Sequence, residues 1–209
     1  MSKPDFSLET ALYAEGKCRI AGIDEVGRGA LAGPVTVAAV ILDPEHLPHG
    51  LDDSKKLTAK QREALFTIIC RDACAISIAY GSAKDIDRVN VRQSTLAAMA
   101  RAAFALALQP DHILIDGRDI PHGLNICASA IIKGDSRSMS IAAASIVAKV
   151  MRDRLMAQLD PHNLYGFAHH VGYGTAFHLA ALKKYGAGPY HRSSFAPIRS
   201  SRQTKLTPY

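Results

Sequence analysis

A mixed α/β fold, a β-sheet flanked by α-helices with a helical C-terminal region, is predicted by three features of this 209-residue chain. Two Val-, Ile- and Ala-rich stretches, Ile20 to Val26 and Pro34 to Leu42, follow each other across the Gly-containing segment Gly27 to Gly33 and read as neighbouring strands. Later strand patterns alternate with helical ones, an order that fits a mixed sheet rather than a purely parallel one. The length suits one well-cored domain, with a core over about 18–198 and a flexible basic tail over 199–209.

The remaining elements follow from periodicity. Thr58 to Arg71 carries an apolar face through Leu65, Phe66, Ile68 and Ile69, with Thr58 as N-cap, and Ala75 to Tyr80 alternates like a strand. From Asn90 to Leu108 the residues Leu96, Met99, Ala100, Ala103, Phe104 and Leu106 keep a helical period that Pro110 stops. His112 to Asp116 is a short buried strand ending in a carboxylate, and Ile126 to Ile132 is another strand. Met139 to Leu159 is a long helix whose Ala142, Ala143, Ala144 and Ser145 imply close packing on a sheet. No internal repeat is present.

Composition narrows the class. Hydrophobic residues make up 48% and charged residues 21%, as in a globular protein, and no apolar run is long enough to cross a bilayer. Met1 to Thr10 carries Lys3, Asp5 and Glu9 and no apolar signal region, so a cytoplasmic location is expected. Cys18, Cys70, Cys74 and Cys127 lack the paired spacing of a zinc site and are expected as reduced thiols filling the core. The net charge of +6 is concentrated: residues 161–209 hold Lys183, Lys184, Arg192, Arg199, Arg202 and Lys205 and no Asp or Glu. That asymmetry fits either a surface for a polyanion, nucleic acid before membrane, or a solvated basic tail.

Three apolar segments each deliver a carboxylate at one end. Asp24 and Glu25 follow Ile20 to Ile23, Asp116 closes Ile113, Leu114 and Ile115, and Asp135 follows Ile131 and Ile132. Singly, each reads as a turn or cap residue. Together they describe a site along one sheet edge, where buried anions require neutralisation and hard oxygen ligands suit Mg²⁺ or Mn²⁺. Adjacent strand residues point to opposite faces, so Asp24 and Glu25 share one cation only where the strand twists or ends. Gly27 makes such a distortion inexpensive.

The run GIDEVGRGALAGPV, Gly22 to Val35, closely resembles the signature of the type 2 ribonucleases H, the ribonuclease HII family. LDDSKKLT from Leu51, ILIDG from Ile113, KGDSRSMSIAAASIVAKVMRD from Lys133, and GYGT followed by His178 extend the similarity in the family's order over about 20–195. Only 23 residues precede Asp24, which favours HII over the related HIII group with its extra N-terminal domain. The resemblance implies a ribonuclease H-like fold and a catalytic, metal-binding set of Asp24, Glu25, Asp116 and Asp135. It also implies in-line phosphoryl displacement with two Mg²⁺ or Mn²⁺ ions, leaving 5′-phosphate and 3′-hydroxyl ends. Within that set Asp24 would bridge the ions, Glu25 and Asp116 would each serve one, and Asp135 would lie nearest the attacking water.

Such an enzyme must sense the ribose 2′-hydroxyl. Gly27, Arg28 and Gly29 suit close backbone approach, although the same residues also read as a tight turn. Tyr173 matches the family's tyrosine that stacks on the deoxyribose after the ribonucleotide and bonds its 2′-hydroxyl. Lys55 reads as a phosphate contact or a solvated lysine. His162, His169, His170, His178 and His191 match no zinc spacing. Gln203, Leu206 and Tyr209 share the spacing of a sliding-clamp peptide without its second aromatic, so a disordered tail is the simpler reading. The expectation is a monomeric endonuclease acting on RNA/DNA hybrids and ribonucleotide-containing duplex DNA. The alternatives are a non-catalytic hybrid-binding module that relies on the basic C-terminal region, and another metal-dependent phosphotransferase.

Overall fold

The structure, a computed structural model, describes residues 3–203. Leu206 and Tyr209 of the clamp-like spacing lie outside the described residues. In chain order the elements are α1 (Ser7–Ala14), β1 (Ile20–Val26), β2 (Val35–Ile41), α2 (Ala59–Asp72), β3 (Ala75–Gly81), α3 (Ala83–Val89), α4 (Val91–Phe104), β4 (His112–Asp116) and β5 (Cys127–Ile131). A 3-10 turn at Gly134–Ser136 then leads to α5 (Met139–Leu159), α6 (Phe167–His170), α7 (Ala176–Tyr185) and α8 (Ala196–Gln203). The five strands form one mixed sheet in the order β3-β2-β1-β4-β5, with β1 antiparallel to β2 and parallel to β4, and β4 parallel to β5. Among the described residues no helix is long and apolar enough to cross a membrane.

The chain folds as two compact units that interleave in sequence: residues up to 26, 36–79 and 96–150 form the first, and residues 27–35, 80–95 and 151 onward form the second. In the first unit, Ala21, Ile23, Val37, Ala39, Ile113 and Ile115 on one sheet face pack with Leu96, Met99, Ala102 and Ala103 of α4. On the other face Ile20 and Leu114 meet Ile141 of α5, with Leu8 and Leu12 of α1 beside them. The small-sided start of α5 permits this closeness: a Cβ added to Gly22 of β1 would stand 2.1 Å from the Ser140 carbonyl carbon, and Ala142 to Ala144 are fully buried.

Local chemistry explains where elements begin and end. Thr58 caps α2 through a reciprocal box, its hydroxyl accepting from Gln61 N at 3.3 Å while Gln61 Oε1 accepts from Thr58 N at 2.9 Å. Helix α4 stops at Phe104, short of Leu108, and Gln109 Nε2 donates to the carbonyl of Phe104 at the helix end and to that of Leu106 beyond it, at 3.3 and 3.2 Å. Helix α1, absent from the periodicity reading, exists to cap α5: buried Glu9 accepts from Ser138 Oγ at 2.6 Å and from Ser140 N at 2.9 Å. All four cysteines are exposed and none is in a disulfide, correcting the expectation that they fill the core. The core uses Ala, Val, Ile and Met in their place.

In the second unit, Leu31, Leu182 and Ile198 form one apolar cluster, and Ala32, Met156 and Phe167 form another. Asp160 fixes the turn after α5 by accepting the N–H groups of Leu164, Tyr165 and Gly166 at 2.8–2.9 Å.

Gly22→Ala is expected to destabilise the chain by about 1–3 kcal/mol, because the new methyl meets helix backbone that cannot rotate away; urea unfolding measures it. Glu9→Ala should cost about 1–3 kcal/mol in the same assay by leaving the Ser140 N–H buried without its acceptor.

Candidate active site

Parallel pairing aligns the acids. Ile23 lies opposite Ile115, so Asp24, near the end of β1, and Asp116, the last residue of β4, stand side by side on adjacent strands. Both follow Gly22 and Leu114 on the face that packs on α5. After β5, Lys133 adopts a left-handed φ of 57° and turns the chain into the 3-10 turn that carries Asp135. Gly134 N donates to Asp116 Oδ1 at 2.7 Å, tying that turn to the end of β4.

Asp24 is 5% exposed. Burial, then the charges of Glu25 and Asp116, push its carboxyl well above the ordinary carboxylate range, while a hydrogen bond from Ser145 and the Glu25 N–H at 2.7 Å favour the ionised form. Burial and the charges of Asp53 and Asp116 raise Asp135 in the same way, against the pull of Lys55 and Lys56. The exposed Lys55 is lowered by desolvation, yet Asp53, Asp24, Asp135 and Asp116 together carry it above its usual value. Asp24, Asp116 and Asp135 therefore share one electrostatic neighbourhood with Lys55. Glu25, half-buried, enters it through Asp24, and β1 continues in register to Val26 without the break that would turn Glu25 to the Asp24 side.

Two serines support the acids. Ser145 of α5 donates to Asp24, and Ser54, buried in the DSKKLT segment, lies 2.9 Å from the Ser145 hydroxyl. Since an ionised carboxylate only accepts, Ser145 spends its proton on Asp24 and accepts from Ser54. The sequence marked Ser145 only as a small residue, and its chemical role carries no pattern of its own.

Among the described residues no three His, Cys, Asp or Glu side chains close in far enough to cage a metal unaided. The residues nonetheless fit a hard divalent cation. A buried acid repelled by its neighbours, with carboxylate and hydroxyl oxygens beside it, suits an ion that keeps waters and substrate oxygens in its shell.

The second unit holds the GRG segment and Tyr173. Gly27 is buried at φ 90°, while Arg28, Gly29 and Tyr173 are exposed. A Cβ on Gly29 would stand 3.9 Å from Tyr173 Cε1, and Leu31 N donates to Gly172 O at 2.8 Å, so the loop and the tyrosine are neighbours. The Tyr173 carbonyl is held by His178 Nδ1 at 3.0 Å; His178 Nε2 meets His191 Nε2 at 3.0 Å, and His191 Nδ1 accepts from Gly188 N at 2.9 Å. These histidines thus use their ring nitrogens in hydrogen bonds around the tyrosine turn. Arg192, counted in the sequence with the basic surface, is fully buried, as is Arg152 of α5. Nothing in the local pattern separates either from a solvated arginine.

A family model described as Ribonuclease HII matches residues 21–198. The ribonuclease HII of Brucella ovis is 54% identical over 198 residues, covering 94% of this chain and 90% of that protein. Among solved structures, ribonuclease H2 from Pyrococcus horikoshii OT3 has a TM-score of 0.76 at 24% identity, covering 91% of this chain and all of the other. The Archaeoglobus fulgidus ribonuclease HII, solved in complex with PCNA, has a TM-score of 0.73 at 27% identity over 85% and 95% of the two chains. Bst-RNase HIII in complex with Mn²⁺ has a TM-score of 0.69 at 20% identity over 90% of this chain and 70% of that one. The fold is that of the ribonucleases H, and the chain belongs to the ribonuclease HII family.

Proposed function

We propose that this protein is an endonuclease that hydrolyses the RNA strand of RNA/DNA hybrids and nicks duplex DNA on the 5′ side of embedded ribonucleotides. The carrying observation is Asp24, buried in β1 beside the last residue of β4 and under the repulsion of Glu25 and Asp116 in a chain of this family. Asp24, Glu25, Asp116 and Asp135 are the groups that would hold two Mg²⁺ or Mn²⁺ ions. Bound there, the ions would activate water and stabilise the leaving oxygen, giving 5′-phosphate and 3′-hydroxyl ends.

The chain's own residues prepare this chemistry. Ser145 and the Glu25 N–H orient Asp24 and favour its ionised form against burial and repulsion. Gly134 N orients Asp116 and sets the turn that presents Asp135. Lys55, made more basic by four carboxylates, offers a positive charge to a substrate phosphate. Gly27, Arg28, Gly29 and Tyr173 are assigned to ribose recognition, supported by the exposure of Gly29 beside Tyr173, where an added Cβ would stand 3.9 Å from the ring.

Asp116→Asn should lower kcat on a duplex carrying one ribonucleotide by about a hundredfold or more while duplex binding persists, since a lost ligand removes about 3 kcal/mol of transition-state stabilisation. Full activity in that variant would end the assignment, and absence of cleavage by the parent with either metal across a range of salt would leave a binding module. For Lys55→Ala the expected result is a several-fold higher KM with kcat little changed, and a salt dependence of binding reduced by about one unit of slope.

A further inference from the structure

Two arginines of the second unit are fully buried, and no carboxylate within ion-pair distance of either is among the described salt bridges. Their partners are backbone carbonyls. Arg192 donates from Nε to Gly33 O at 3.0 Å, from one terminal nitrogen to Arg28 O at 2.8 Å and from the other to Gly27 O at 2.7 Å. Arg152 donates to Pro34 O at 3.0 Å, Ala32 O at 3.2 Å and Val171 O at 2.8 Å. Five carbonyls of the eight-residue segment 27–34 are thereby committed to two cations.

We infer that Arg152 and Arg192 are positioning residues that preset the GRG loop to receive the ribose-phosphate of the substrate; the inference rests on the ribose-reading role proposed for that loop. In a trans peptide the C=O and the following N–H point in opposite directions. Drawing the carbonyls of Gly27 and Arg28 onto Arg192 therefore turns the N–H groups of Arg28 and Gly29 away from it, two successive donors of the kind that suit an anion or a hydroxyl oxygen. Gly27 has its own explanation here: a Cβ would lie 2.1 Å from Arg152 Nε, so its small size makes room for the guanidinium.

Charge supports the geometry. Burial, then the neighbouring Arg152 charge, pushes Arg192 down to about 9, and burial lowers Arg152 as well. Both remain cations at neutral pH. Asp87, the carboxylate whose field reaches Arg192, is already occupied by the hydroxyl and N–H groups of Ser193 and Ser194. Two buried charges whose described hydrogen bonds go to carbonyls, with the fields of Asp87 and Asp153 nearby, are costly for a purely structural cross-link, which apolar side chains would make without desolvation. A phosphodiester would add further negative charge, and the Arg152 guanidinium also stands 5.8 Å from the Tyr173 ring centroid, reaching the second proposed ribose contact.

The test uses R152K and R192K in the full chain, since lysine keeps the charge but cannot span three carbonyls. With Mn²⁺ present, kcat and KM are measured on a duplex with a single ribonucleotide, and Ki is measured for the same duplex made entirely of DNA. The expected result is at least a fivefold fall in the Ki/KM ratio and a tenfold fall in kcat, with a urea midpoint that still reports a folded protein. If the parent shows no preference, with Ki equal to KM, the ribose-reading role itself fails. If the parent discriminates and either folded lysine variant keeps its ratio, the positioning role is overturned while the ribose reading stands. Failure of both variants to fold would make the arginines framework residues and equally overturn it.

Discussion

An ionised carboxyl group loses more on leaving water than most folds can restore, and Asp24 sits where almost all of its hydration is gone. The rest of the first unit is arranged around that constraint. β1 runs beside β4 so that a second acid stands next to the first, which deepens the difficulty. Gly22 and the alanines of α5 bring the helix close enough for Ser145 to reach the carboxylate, and the Ser54 contact keeps that hydroxyl aimed. Hydrogen bonds of this kind favour the ionised form but do not cancel repulsion among acids, whereas a bound cation would do both.

The second unit carries the mirror image of this problem. Arg152 and Arg192 are buried cations whose described hydrogen bonds go to backbone carbonyls, with the fields of Asp153 and Asp87 and the Tyr173 and Phe195 rings beside them. Neither arrangement is what stability alone would select, because apolar residues fill such volumes without desolvation. In the proposed function divalent cations would complete the acids of the first unit, and in the inferred positioning role a phosphodiester would add charge beside the guanidinium groups of the second.

What was legible in the sequence follows from this physics. An apolar run ending in Asp-Glu, another ending in Asp116 and a third leading to Asp135 are local contradictions between hydrophobic pattern and charge, visible without a structure. The strands, α2 with its Thr58 cap and the close-packing start of α5 were legible for the same local reasons. Arg152 and Arg192 were not. Their carbonyl partners lie far away in sequence, and an arginine in a polar helical or C-terminal segment has the same pattern whether it faces water or backbone. Gly27 was legible as an unusual backbone position, but the space it leaves belongs to the Arg152 guanidinium. Short helices escaped too: α1 spans eight residues and exists because Glu9 caps a helix more than a hundred positions later. Cys18, Cys70, Cys74 and Cys127 were misplaced because residue type alone was asked to report burial.

The looseness of the acid set has a consequence for selectivity. A cage supplied wholly by the chain would bind its ion whether or not a substrate were present. Here no three such side chains among the described residues converge that far, and Glu25 stands one strand position out of phase with Asp24. A divalent cation held there, as proposed, would keep water and substrate oxygens in its shell, so that compensation of the Asp24 charge would draw on the substrate as well as on the metal. Burial of that acid would in this way couple the chemistry to recognition. Specificity built in this way resides in how the ribose-phosphate is held as much as in the metal ligands themselves.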